Sequence, residues 1–367
     1  MTNGNVFQFK PDWQGKGLAV ASVQLPLVGT EIVIPDCHDG KPVTEIQRLF
    51  SSDDPEARKL LRVVIPDSVV RLDDWAFAGC ENLADVKISN NSSLGTIAQY
   101  AFYNCKSIRN INLPETLRSI GDSAFSGCAS LESFHFVERI ILLGNSAFYN
   151  CSNLRTVTFD PDCNLPDIKY DAFYGCASLQ RVSFHRDLVN IFDNAFCHCS
   201  SLQSVQFPME SELYSIDSNA FGACPMLTEL SIKNCTKLFS IGQFAFYNSS
   251  KLASVEFPIG HTVKLYDNAF PKSTKKINYK SQGCYVATCV YGSYDCAPVW
   301  TLRRFRDDKL SKSAFGRTFI KLYYAVSPTA VKWFGKTKWF NNLLRPVLNT
   351  FVKRLKTKGY LDTPYED

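Results

Sequence analysis

Ala76-Phe77-Ala78-Gly79-Cys80 is written again and again along this chain. Ala-Phe recurs at Ala101-Phe102, Ala124-Phe125, Ala147-Phe148, Ala172-Phe173, Ala195-Phe196, Ala220-Phe221, Ala245-Phe246 and Ala269-Phe270. The gaps between copies run 25, 23, 23, 25, 23, 25, 25 and 24 residues. Three residues after each Phe stand Cys80, Cys105, Cys128, Cys151, Cys176, Cys199 and Cys224, then Ser249 and Ser273. A period this regular predicts stacked coils in a solenoid rather than a closed globule.

One repeat, Leu117 to Phe136, shows what each coil does. Asp122 and Ser123 are helix N-cap types, so Ala124 and Phe125 are expected to begin a short helical turn. Phe134 and Phe136 alternate with Ser133 and His135, the period of a strand with one buried face. The same pair recurs as Val86/Ile88, Ile111/Leu113, Val157/Phe159, Val182/Phe184, Val205/Phe207, Leu230/Ile232 and Val255/Phe257. No unit can bury its Phe, Leu and Val alone. Stacked units share one core, with their strands forming a parallel sheet along one side.

The Leu-x-x-Val-x-Phe strand with its Ala-Phe-x-x-Cys turn closely resembles the BspA-like (treponemal-type) leucine-rich repeats, over residues 31–280. The resemblance implies an α/β solenoid, a right-handed superhelix with a parallel sheet. It also implies a non-enzymatic protein-binding role, often at a microbial surface. Residues 1–30, with strands expected at Val6–Phe9 and Leu18–Val23, are assigned to capping the open first coil. The polar run within Phe50–Lys59 is expected to bulge out.

Composition changes after residue 280. Residues 1–280 carry 25 basic and 29 acidic residues, whereas 301–358 carry 15 Lys and Arg against Asp307 and Asp308. Residues 281–367 are therefore read as a small basic helical domain. Helices are expected at Val299–Leu310, Ala314–Val326 and Phe340–Leu355, the last with Phe351 and Leu355 buried. Gly283-Cys284-Tyr285-Val286-Ala287-Thr288-Cys289, Val299-Trp300-Thr301-Leu302 and Tyr323-Tyr324 resemble the CFI-box C-terminal domain, an accessory module. Tyr285, Val286 and Cys289 depart from its usual Phe, Ile and Ala.

The ladder cysteines read as buried small apolar groups. Side by side, their Cβ bonds run parallel and stay too far apart for disulfides. Cys284, Cys289 and Cys296 lack zinc spacing, and Cys284 is kept as a candidate motif cysteine. Five histidines share no metal or triad spacing, and no glycine run cradles a phosphate. No enzyme class, cofactor or metal is therefore expected. The candidate binding face is the outward set of the strands: Asp85, Asn110, Ser133, Thr156, Arg181, Ser204 and Glu229 in one column. Lys87, Asn112, His135, Thr158, Ser183, Gln206 and Ser231 form the other. The expected partner is another protein, with weak contact of the basic tail to an anionic membrane or nucleic acid as the alternative. Without a leader or spanning segment in the sequence, a cytoplasmic location is expected, with the cell surface as the alternative that the family resemblance raises.

Overall fold

The computed structural model describes residues 4–278 except 52–53 and 259–262. Beyond these it describes 290–291, 296–310, 312–313, 315–316, 318–319 and 337–363. Two compact units result, Met1–Asn278 and Tyr279–Asp367.

The first unit is the expected parallel-sheet solenoid. Its strand-forming segments build one sheet in two pieces. Glu31–Val33, Arg62–Ile65 and Asp85–Ile88 form the first piece. Ser133–Phe136, Thr156–Phe159, Arg181–Ser183, Ser204–Gln206, Glu229–Ser231, Ser254–Phe257 and Lys275–Asn278 form the second. The break falls at Ile111/Leu113, where a strand was expected and none forms.

A second parallel ladder, not foreseen in the sequence, runs along another side of the coils. Its strands are mostly two residues long, such as Ser119–Ile120, Asn190–Ile191 and Ser240–Ile241. Each points one apolar side chain inward, Ile120, Ile191 and Ile241 all being fully buried. Such strands are too short to show a period of two.

The Ala-Phe segment is not helical. Ser123, Phe125 and Gly127 donate their N–H groups to the carbonyls of Asn145, Ala147 and Tyr149 in the next coil, each at 2.8 Å. Ala124, Ser126 and Cys128 instead close turns onto Gly121, Ser123 and Phe125 within the coil. Alternate amides thus serve the stack and the turn, which a helix could not do. The geometry needs left-handed residues on both sides of the Phe. Two residues before it, positions from Trp75 to Asn268 have φ of +53° to +64°. Two residues after it stand Gly79, Asn104, Gly127, Asn150 and Gly175, all with positive φ. Gly and Asn tolerate that region best. At Gly127 a Cβ would also meet Asn104 Oδ1 at 2.2 Å.

Nine Phe rings, from Phe77 to Phe270, stack through the core. Their centroids lie 4.8–5.5 Å apart with planes within 13° of parallel. All seven ladder cysteines are fully buried beside them. Six donate Sγ–H to the Phe carbonyl of the preceding coil, from Cys105 to Phe77 at 3.1 Å through Cys224 to Phe196 at 3.3 Å. Ser249 Oγ makes the same bond to Phe221, at 3.3 Å. The position therefore selects a small donor, not only a small apolar group. Burial holds the thiols protonated, pushing Cys128 up to about 12.

The N-terminal strands Phe7–Pro11 and Leu18–Val23 pair antiparallel, and Leu18–Val23 joins Lys41–Ile46 in the second ladder. Asp12 fixes the turn between them by accepting from Gln14 N, Lys16 N and Thr44 Oγ1. Within Phe50–Lys59 the flanking Phe50 and Ala57 are buried, while Ser51 and Pro55 of the polar run are exposed. Pro55–Lys59 forms a 3-10 helix capped by Asp54, and Glu56 accepts from Leu27 N at 3.0 Å.

In the second unit, helix α1 (Ala297–Phe305) continues as a π-helical turn, and helix α2 spans Lys338–Thr357. Val299 and Leu302 pack with Val352 and Leu355. Leu355 is buried as expected, but Phe351 is 40% exposed. Most of the expected Ala314–Val326 helix lies outside the described residues.

Two substitutions separate the roles of ring and thiol. Phe148→Ala is expected to cost about 3–5 kcal/mol in urea unfolding. Cys151→Ser is expected to be nearly neutral, and Cys151→Ala to cost about 1 kcal/mol more than Ser. Equal cost for Ser and Ala would show that the thiol hydrogen bond contributes nothing.

Candidate functional site

Parallel register places the candidate face residues in two straight columns. Ser133, Thr156, Arg181, Ser204 and Glu229 are successive register partners. His135 lies opposite Thr158, and Ser183, Gln206 and Ser231 align further along. Asn110 and Asn112 sit in the break between the two sheet pieces and are exposed. Their coil still joins the face, because Ser133 Oγ donates to Asn110 Oδ1 at 3.0 Å.

The columns are not uniformly open. Lys87, His135, Thr156, Thr158, Arg181, Ser183, Gln206 and Glu229 are exposed, while Asp85 and Ser231 are half-buried. Ser204 is a correction: it is 4% exposed, and its Oγ has no hydrogen-bond partner. Its short side chain lies in register between Arg181 and Glu229, below the reach of a ligand that touches those longer residues.

Charge divides along the face. At one end Arg62 bridges to Asp85 at 2.8 Å, and Lys87 lies 3.4 Å from the same carboxylate. In the middle His135 Nδ1 meets Thr158 Oγ1 at 2.9 Å and its Nε2 meets Asp160 Oδ1 at 3.1 Å. This Thr–His–Asp row orients the imidazole on an open surface. The ring is more than half exposed, so the low-dielectric enclosure that nucleophilic catalysis uses is missing around it. Further along, Arg181 and Glu229 make no ion pair among the described residues. These two charges flank Ser204 in the strand register.

A different surface escaped the sequence reading. Ile141, Pro166, Val189, Tyr214, Phe239 and Val263 occupy equivalent positions at the edge of the second ladder. Ile141, Tyr214 and Phe239 are exposed, and the Tyr214 and Phe239 rings stack at 5.3 Å. The signal was the run Ile140-Ile141-Leu142-Leu143, with more apolar residues than one strand can bury. Of the turn tyrosines, Tyr103, Tyr149 and Tyr174 are half-buried, and Tyr247 is exposed. The Tyr149 and Tyr174 rings stack at 4.9 Å, which suits shielding of the turns. Cys284 lies outside the described residues. Among the described residues no group of three or more His, Cys, Asp or Glu could hold a metal ion. No helix among them is long and apolar enough to cross a membrane.

His185 lies just beyond the Arg181–Ser183 strand, 4% exposed, with neither ring nitrogen hydrogen-bonded. It packs against Phe159, with ring centres 5.1 Å apart. Burial lowers its pKa to about 4, opposed by Asp187 and by the Cys163 backbone. The folded chain thus holds a neutral imidazole that the unfolded chain protonates near pH 6.5. Its effect is absent above that pH. As pH falls toward about 4 it removes about 3 kcal/mol of stability, and the loss is then complete. His185→Phe is expected to lose less stability than the parent between about pH 6.5 and about pH 4 in urea titrations. Identical pH slopes would contradict the buried neutral ring.

The profile of the family described as "BspA type Leucine rich repeat region" matches residues 56–167 and 162–278. Among solved structures, a leucine-rich repeat protein from Bacteroides ovatus is 24% identical, with a TM-score of 0.55 over 74% of this chain and 80% of that one. A leucine rich cell surface protein from Faecalibacterium prausnitzii is 22% identical, with a TM-score of 0.51 over 73% and 84%. These likenesses show the solenoid fold. Among curated proteins no significant match is found.

Proposed function

This chain belongs to the BspA-type leucine-rich repeat family, and from that premise we propose that its solenoid is a non-enzymatic module that binds another protein. The observation that carries the reading is the pair Arg181 and Glu229, exposed on a hydrogen-bonded sheet and without an ion pair among the described residues. A rigid backbone loses little entropy on binding, and fixed charges select a partner with the opposite pattern. The surrounding Thr156, Thr158, Ser183 and Gln206 offer hydroxyl and amide groups for the same contact. No reaction and no cofactor belong to this reading. A cell-surface adhesin is the variant favoured by the description of the Faecalibacterium prausnitzii neighbour. The C-terminal unit is read, on its Gly283–Cys289 motif, as a CFI-box accessory module.

The exposed Tyr214 and Phe239 favour a second docking surface on the same solenoid, because neighbouring apolar rings in water mark contact sites. One comparison separates the two. The immobilised full-length chain, an Arg181→Glu/Glu229→Arg variant and a Tyr214→Asp/Phe239→Asp variant are exposed to the same extract, and retained proteins are identified by mass spectrometry. Loss of a parent-specific protein from the charge variant, at unchanged melting temperature, is the expected result. Loss from the ring variant alone would move the site to the second ladder. Unchanged retention by both folded variants would contradict solenoid binding.

A further inference from the structure

Helix α2 has more apolar surface than the described residues of its unit cover. Val352 and Leu355 are buried against Val299 and Leu302 of α1, and Leu348 packs partly onto that cluster. On another side Leu343 and Val347 are each 62% exposed, and Phe351, 40% exposed with one edge of its ring against Phe305 of α1, follows them four residues on. At about 100° per residue these three form one line along the helix. The same projection puts Arg354 between Leu343 and Val347, and Lys358, just past the helix end, between Val347 and Phe351. Residues 338–358 contain six Lys and Arg and no Asp or Glu.

We propose that this face of α2 docks on a membrane surface rich in anionic phospholipid. The apolar line would enter the boundary between headgroups and acyl chains, with the helix lying in the plane. Arg354 and Lys358, on the same line, would pair with lipid phosphates. Charge decides between the occupants. A second copy of this helix would bring Arg354 and Lys358 against their own copies, and these like charges repel. A nucleic acid backbone would satisfy the cations but leave Leu343, Val347 and Phe351 in water. An anionic bilayer satisfies both halves of the face. The helix is too polar to cross the bilayer, so the contact is interfacial.

The test uses the full-length chain in flotation with two vesicle preparations, phosphatidylcholine alone and phosphatidylcholine mixed with phosphatidylglycerol. Binding is expected to the mixed vesicles and to be much weaker to the neutral ones. Salt should weaken it without abolishing it, since only the charge part is screened. Val347→Asp, at an exposed site, is expected to bind about tenfold or more weakly with an unchanged circular dichroism spectrum. Arg354→Gln with Lys358→Gln should lose the preference for anionic lipid. Four outcomes would overturn the proposal. The parent could fail to float at low salt, or salt could remove all of its binding. Folded Val347→Asp could bind like the parent. Sedimentation could show a dimer that Val347→Asp dissolves, which would assign the face to a second copy.

Discussion

Each ladder Phe from Phe102 to Phe246 is covered on its two faces by the Phe rings of the coils before and after it, and the rest of the solenoid follows from that contact. Rings about 5 Å apart and nearly parallel set the coil spacing close to that of a parallel sheet, so stack and sheets share one repeat distance. A buried Phe contributes only when its neighbours are in place, which makes each coil depend on the next. The Cys ladder serves the same joint. The Phe carbonyl accepts the Cys amide of its own coil and, from the next coil, the Cys thiol, as Phe102 does from Cys105 and Cys128. Backbone and ring therefore tie the same two coils together.

That joint also positions the outer surface. With the coil spacing fixed and the strands in register, side chains such as Arg181 and Glu229 become columns with constant separation. The fold itself orders that surface. The second ladder carries the stacked Tyr214 and Phe239 in the same way. The described part of the C-terminal unit rests on another principle, the packing of α1 on α2, with Leu343 and Val347 of α2 exposed among the described residues.

Much of this was legible in the sequence, because the period, the inward Phe and Cys, and the long strands are direct consequences of burial. The losses have physical causes. Ala-Phe after Asp-Ser looks like a capped helix, and only the left-handed residues around Phe125 reveal a turn that bonds to its neighbour coil. Asn104, Asn150 and Gly175 carried that information without forming a pattern that a helix rule would notice. Ser204 was placed on the right side of its strand, yet its exposure depends on the length of Arg181 and Glu229 beside it. In α2 the apolar residues spread over about half the circumference, and sequence alone did not indicate that Leu355 is buried while Phe351, touching Phe305 with one edge, stays 40% exposed.

The central claim is that the Phe turns, no less than the strands, hold the coils together. Site-resolved native-state hydrogen exchange tests it directly. The amides of Phe125, Phe148, Phe173 and Phe196 each donate to the next coil. They are expected to exchange as slowly as strand amides such as Val157 and Val205, through one shared opening. Fast exchange at the Phe amides, with the strand amides still protected, would show that the sheets alone carry the stack and would contradict this account.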